Sequence, residues 1–242
     1  YLSGTPGRII TAQNARGTDM PFRYEQNVES EDGNNVYLTI DETIQSICEK
    51  YMQKGVEDNN VLNKGVCIAM DVNTGAILAM VTTDGYDLNN PYELSAKDKK
   101  KIKSTPKKKQ AEAVADTYMP GSVFKMCVAS AALEENLVNE KTSFTCTGSI
   151  SVEGETIHCS NISGHGTQNF VEAISNSCNP AFIQIGQMLG AGKFRQYYQG
   201  FGFSDKTGID LPGEAEDSFW KEGKMGGVDL AVASFGQNFT IT

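Results

Sequence analysis

A serine three residues ahead of a lysine is the first pattern in this 242-residue chain that could do covalent chemistry. It occurs three times, at Ser104–Lys107, Ser122–Lys125 and Ser218–Lys221. Residues three apart share a helix face, so the amine can reach the hydroxyl and take its proton as oxygen attacks a carbonyl. About one such tetrad arises by chance in a chain of this length, so context has to choose among them. Pro106 lies inside the first tetrad and blocks a regular helix there. The third follows a Pro-Gly-Glu turn and is not continued by an apolar stripe. Ser122 follows a breaker cluster, Tyr118-Met-Pro-Gly121, and opens a helix with Val123, Met126, Cys127, Ser130, Leu133 and Leu137 at helical spacing. A helix N-terminus favours developing oxyanion charge, and a lysine drawn into apolar surroundings is available as a neutral amine. The same letters also read as a plain helix cap, with Lys125 snorkelling to water.

Ser-x-Asn occurs once, at Ser177-Cys178-Asn179, and Pro180 follows it. A residue before proline is pushed out of the helical region, and proline suits the first turn of a new helix. The spacing therefore predicts two helices, about 169–176 and 180–190, with a hydroxyl and an amide at the break between them. Asn179 acting only as an N-cap is the competing reading. The chain has two histidines, His158 and His165, so Ser-His or Cys-His catalysis would have to use one of them. Serine–lysine chemistry needs neither.

Six cysteines stand at 48, 67, 127, 146, 159 and 178. Cys48, Cys67 and Cys127 fall in apolar patterns and read as small buried hydrophobes. Phe144–Cys159 reads as a hairpin turning at Glu153-Gly154, in which 146 opposes 161 and 148 opposes 159. Cys146 and Cys159 are then diagonal neighbours on one face, and His158 points to the other. His165 is left as their companion, with Cys178 just past the next helix. Cys146, Cys159, His165 and Cys178 make a three-sulfur, one-imidazole set of the kind that holds structural zinc. The spacing is not that of a standard finger. A Cys146–Cys159 disulfide and free thiols are the other two readings.

The surrounding elements mix helices and hairpins without regular alternation, which predicts α+β architecture. Residues 1–35 lack sustained periodicity and read as a linker or short irregular strands leading into a domain that covers 36–242. Val36–Ile40 alternates like a strand, and Asp41 is placed to cap a helix running to about Gly55, with Ile44, Ile47, Cys48 and Tyr51 on one face. Two apolar runs around Asp71–Gly75 predict a hairpin buried on both faces. A shorter helix is expected over Lys193–Gln199. The proportions are globular, and no apolar run approaches the roughly 18–20 residues of a membrane span. The net charge is -9, which argues against general nucleic-acid binding. Lys97–Lys109 nevertheless carries +7, as a solvated loop or a contact to an anionic surface.

Taken together, YMPGSVFK (118–125), GHGTQNF (164–170), SNSCNPAF (175–182) and FGFSDKTGIDLPGE (201–214) resemble a class B penicillin-binding protein. VYLTIDETIQ (36–45), IAMDVNTGAILAM (68–80) and DLAVASFGQ (229–237) fit the same family, so the likeness runs from about residue 36 to the end. The resemblance implies the fold shared with β-lactamases, an antiparallel sheet with helices, and a peptidoglycan D,D-transpeptidase. It implies Ser122 as nucleophile, Lys125 as base, Ser177 as proton relay and Asn179 as the hydrogen-bonding partner of the donor peptide. Its substrates would be D-alanyl-D-alanine stem peptides, with β-lactams as acylating mimics and no cofactor needed for catalysis. It further implies a glycosyltransferase partner and a place outside the cytoplasmic membrane, held by an N-terminal anchor. A serine β-lactamase, a penicillin-sensing domain and a non-catalytic scaffold of the same fold are the alternatives. Tyr1 is not an initiator, so the chain reads as a cut fragment. Lys206-Thr-Gly208 matches the family's third motif by letter, but turn chemistry surrounds it and it is assigned no catalytic role. The genuine motif is expected beyond Thr242, leaving the fold incomplete and this piece slow to acylate.

Overall fold

The computed structural model describes residues 1–11, 25–62, 64–83 and 112–242. The basic run Lys97–Lys109 and the tetrad at Ser104 lie outside these. Two compact units are present, Tyr1–Gly55 with Cys67–Val81, and Val56–Val66 with Thr82–Thr242. No helix among the described residues is long and apolar enough to cross a membrane.

In the first unit, β1 (Arg8–Thr11) and β2 (Glu25–Val28) form an antiparallel pair, with Arg8 opposite Val28. Helix α1 (Glu42–Asp58) begins where expected, the Asp41 carboxylate accepting the Ile44 N–H at 2.9 Å. Its half-buried stripe runs through Ile44, Cys48 and Met52, while Ile47 and Tyr51 face out, so the expected face is rotated. Val36–Ile40 is not a strand. The Thr39 hydroxyl and the Asp41 N–H bond to the carbonyls of Ile77 and Leu78, but no ladder follows, and alternation alone cannot supply one. The hairpin is present as β3 (Val66–Met70) and β4 (Ile77–Thr82), closed by the Asp71 carboxylate on the N–H of Asn73 and the hydroxyl of Thr74. It is not buried on both faces. Ala79 and Val81 of β4 are buried, whereas Val66, Ile68 and Met70 of β3 are exposed in this two-stranded sheet.

The second unit carries the chemistry-bearing residues. After α2 (Glu112–Ala115), a 3₁₀ turn over Gly121–Phe124 runs straight into α3 (Lys125–Glu134). Strands β5 (Ser143–Cys146), β6 (Ser149–Val152), β7 (Glu155–His158) and β8 (Gly166–Asn169) follow, then α4 (Phe170–Ser175), α5 (Asn179–Gly200) and α6 (Gly227–Ala233). Gly190 adopts a non-helical φ of 73° and kinks α5, so the expected long and short helices are its two halves. Every resolved strand register is antiparallel, and with the helices this is the expected α+β fold.

The buried face of α3 is the reverse of the one its spacing suggests. Phe124, Val128, Ala131 and Ala132 are buried, while Val123, Met126 and Leu133 face outward. The aromatic cluster of Phe124, Phe194, Tyr198, Phe219 and Phe239 selects this face, with the Tyr198 and Phe219 rings stacked at 3.8 Å. The turn ahead of Ser122 is fixed by backbone: the Gly121 N–H donates to the Gly236 carbonyl at 2.8 Å. Gly236 has a φ of 79°, and a Cβ there would meet the Gly121 carbonyl oxygen at 1.9 Å. Gly236→Ala should therefore destabilise the protein by about 2 kcal/mol or more. Gly192→Ala, which places its methyl in open space, should gain about 0.5 kcal/mol. Denaturant unfolding of the two variants checks the contrast; equal effects would contradict it.

Candidate active site

Helix α3 presents the Lys125 side chain inward from its first residue, one turn after the exposed Ser122. Lys125 is only 4% exposed, so its amine does not snorkel. Nζ lies 2.7 Å from the Ser177 carbonyl oxygen and 2.7 Å from Asn179 Oδ1. It lies 3.0 Å from Ser177 Oγ and 3.2 Å from Ser122 Oγ. The four residues singled out in the sequence are thus gathered around one nitrogen. The amide orientation of Asn179 is fixed, because its Nδ2 donates to the His158 carbonyl at 3.2 Å and turns Oδ1 toward Lys125.

Those contacts divide by kind. The Ser177 carbonyl and Asn179 Oδ1 can only accept, so each takes one N–H of the amine. The two hydroxyls can donate or accept. A neutral amine, with two N–H groups and one lone pair, therefore fits the cage, its lone pair facing Ser122 and Ser177. Burial disfavours the ammonium and brings the Lys125 pKa down to about 8, against a smaller upward pull from Cys178 and Cys159. At pH 7 about one molecule in ten then carries the free amine.

The break between α4 and α5 sets this geometry. Asn169 and Glu172 form a capping box at the start of α4. Ser177 takes a φ of 48°, an uncommon conformation for a residue with a Cβ. Cys178 occupies the N-cap of α5 with Pro180 in its first turn. Asn179 is thus the first helical residue and not the cap, and its side chain is committed to Lys125 and His158.

The Ser218 tetrad has no comparable setting. Ser218 Oγ accepts from the N–H and hydroxyl of Thr240, and Lys221 is exposed. Lys206-Thr-Gly208 is exposed irregular chain, not a strand, held by the Glu214 carboxylate on the Thr207 N–H at 2.7 Å and its hydroxyl at 2.6 Å.

Beside the amine, the ligand atoms of Cys146, Cys159, His165 and Cys178 all lie within 4.8 Å of one another. None of the six cysteines is in a disulfide, and Cys48, Cys67 and Cys127 are half-buried instead of fully buried. The hairpin register is the expected one, with Ser149 opposite His158, but the ladder ends at Gly148. Cys146 leaves it to pair in β5 with Gly166 of β8, which brings His165 in alongside. Cys159 Sγ is 3.6 Å from His165 Nδ1. Tetrahedral zinc with its usual bond lengths sets a sulfur–nitrogen separation of about 3.6 Å, so this edge already has the required span. Burial pushes the Cys178 thiol up to about 12. Burial also raises Cys159, but the N–H groups of Asn161 and Asn179 together with hydrogen bonds from Cys146 and Ser160 outweigh it and leave that thiol below its ordinary value.

Three contributors carry no sequence signal that identified them. The His158 carbonyl is backbone, which any residue would supply. Gln168 and Asn176 read as ordinary polar residues of a strand and a helix end, yet their side chains bond at 3.0 Å, and Gln168 is buried beside Cys178. The pairing of β8 with β5 puts Gln168 opposite the buried Phe144, which accounts for its burial.

This α+β scaffold is the fold of penicillin-binding-protein transpeptidase domains. It matches penicillin-binding protein 2X of Streptococcus thermophilus with a TM-score of 0.77 at 23% identity, covering 99% of this chain and 34% of that one. It matches the transpeptidase domain of Burkholderia pseudomallei penicillin-binding protein 3 with a TM-score of 0.67 at 22% identity, covering 86% of this chain and 56% of that one. The chain belongs to the penicillin-binding-protein transpeptidase family, whose model, "Penicillin binding protein transpeptidase domain", matches residues 65–242. It is 33% identical over its whole length to stage V sporulation protein D of Bacillus subtilis, and covers 36% of that protein. It is 33% identical over 70% of its length to peptidoglycan D,D-transpeptidase PbpA of Mycobacterium tuberculosis, again covering 36% of it. The chain thus spans about a third of the length of these curated relatives.

Proposed function

We propose that this chain is part of a peptidoglycan D,D-transpeptidase that works through an ester on Ser122. The observation that carries the reading is the buried Lys125 amine, held by two acceptors and within 3.2 Å of Ser122 Oγ and 3.0 Å of Ser177 Oγ. Ser122 Oγ attacks the carbonyl carbon of the D-alanyl-D-alanine bond as its proton passes to Lys125 Nζ. The C–N bond then breaks, and the leaving D-alanine amine takes the proton back through Ser177. An acceptor amine attacks the ester, loses its proton to the same amine, and leaves the new peptide bond and a restored Ser122 hydroxyl. Asn179 donates the second N–H of Nδ2, the one not held by the His158 carbonyl, toward the donor peptide in this scheme. A β-lactam follows the first step, but its leaving nitrogen stays tethered and blocks the second.

Family membership supports peptidoglycan stem peptides as substrates and β-lactams as ligands. An extracytoplasmic site, an N-terminal anchor and a glycosyltransferase partner complete the proposal. The domain division proposed is a linker over 1–35 and the transpeptidase domain over 36–242. Because Lys206-Thr-Gly208 is not a strand, the oxyanion donor of a third-motif strand is not provided by it. Losing one such donor costs roughly 10²–10³ in rate, so the 242-residue chain by itself is a slow acylator. In the intact protein treated with a β-lactam, peptide mass spectrometry should place the adduct on Ser122. An adduct on Ser104 or Ser218, or none, would overturn the assignment.

A structural zinc ion held by Cys146, Cys159, His165 and Cys178 belongs to the same proposal, favoured by the 4.8 Å clustering and near-complete burial of the three sulfurs. The ion would neutralise the thiolates and tie β5, the end of β7 and the α4–α5 break together. It takes no part in acyl transfer. Elemental analysis of the purified intact protein should find one zinc per chain, and a metal-free protein would remove this part of the reading.

A further inference from the structure

The zinc set leaves one atom of the surrounding protein unexplained. Gln168 is 3% exposed, and its Nε2 is the one buried side-chain nitrogen or oxygen without a hydrogen-bond partner among the described residues. Buried polar groups in folded proteins are almost always satisfied, so an exception calls for an acceptor. The amide is not free to turn away. Gln168 Oε1 accepts from Asn176 Nδ2 at 3.0 Å, which directs Nε2 into the interior. The group it approaches there is the Cys178 sulfur, itself fully buried.

A neutral thiol sulfur is a weak acceptor and would leave Gln168 Nε2 poorly satisfied. A metal-bound thiolate accepts N–H groups well, and donors of this kind set ligand orientation and metal affinity. The other ligands already follow that pattern: the backbone N–H of Ala181 faces Cys178, and those of Asn161 and Asn179 face Cys159. We propose that Gln168 is the positioning residue of the metal centre, donating Nε2–H to the zinc-bound Cys178 thiolate from an orientation fixed by Asn176. The inference rests on the zinc reading above and adds to it a role outside the four ligands.

The placement also bears on the turn beside the amine. Asn176 is held by Gln168, Cys178 by the metal and Gln168, and between them Ser177 keeps its φ of 48° with Oγ 3.0 Å from Lys125. Three consecutive residues are therefore gripped alternately from the metal side and the amine side.

The test uses the intact protein, with zinc affinity read by chelator competition and the Co²⁺-substituted form read by its sulfur-to-metal charge-transfer band. Gln168→Leu keeps the volume and removes the donor; it should weaken zinc binding about 10–100-fold and shift the Co²⁺ band while one metal still binds at saturation. Asn176→Ala, at an exposed position, should move both readouts in the same direction by less, and it decides the matter if Gln168→Leu does not fold. Unchanged zinc affinity and an unchanged Co²⁺ band in the folded variants would overturn the role of Gln168 and leave the zinc reading standing. A wild-type protein that takes up no zinc would overturn both.

Discussion

The interior position of the Lys125 amine is the constraint on which the rest of this unit depends. A primary amine 4% exposed to water must find partners, and it holds its proton less tightly than a free lysine; both are seen here. The Ser177 carbonyl and Asn179 Oδ1 satisfy its N–H groups, and they can do so only because the chain breaks between α4 and α5 at that point. The Gly121–Gly236 backbone contact delivers the other side, fixing the turn from which Ser122 and then Lys125 emerge. The aromatic cluster under Phe124 holds α3 in the rotation that turns Lys125 inward.

Ser177, Cys178 and Asn179 show how three adjacent residues can serve two sites. Cys178 turns toward Cys146, Cys159 and His165, while its neighbours turn toward Lys125. The Asn179 backbone N–H faces Cys159 as its side chain faces the amine. Any change that loosens the sulfur cluster acts within one bond of the groups that hold the lysine. The coupling requires no long pathway, only a shared peptide backbone.

Local chemistry was legible in the sequence, and tertiary choice was not. The Asp41 cap, the Asp71–Gly75 turn, the Glu153-Gly154 hairpin and the break before Pro180 are set by residues adjacent in sequence, and each lies where its local pattern puts it. Ser122, Lys125, Ser177 and Asn179 were found because their letters and spacing carry chemistry. The face of α3 is not legible in the sequence because Val123, Met126 and Leu133 are as apolar as Phe124 and Val128, and only the aromatic cluster decides between them. Strand alternation at Val36–Ile40 produced no strand, since a ladder needs a partner edge. Cys146 was placed in the wrong ladder because the departure at Gly148 depends on β8, some twenty residues away. Gln168 went unnoticed because its role lies in a single nitrogen with no partner, which no pattern of letters displays.

The central claim is that Lys125 works as a neutral base, and the pH dependence of acylation tests it most directly. Burial disfavours the charged form, so the amine loses its proton at about 8 and not near its ordinary value of 10.5. The second-order rate of penicillin acylation of the intact protein, followed from about pH 6 to about pH 10, reports the free enzyme's essential base. That rate should climb about tenfold per pH unit and level off near 8, as the neutral amine becomes the dominant form. A rate that is indifferent to pH in this window, or still rising at its upper end, would contradict the account.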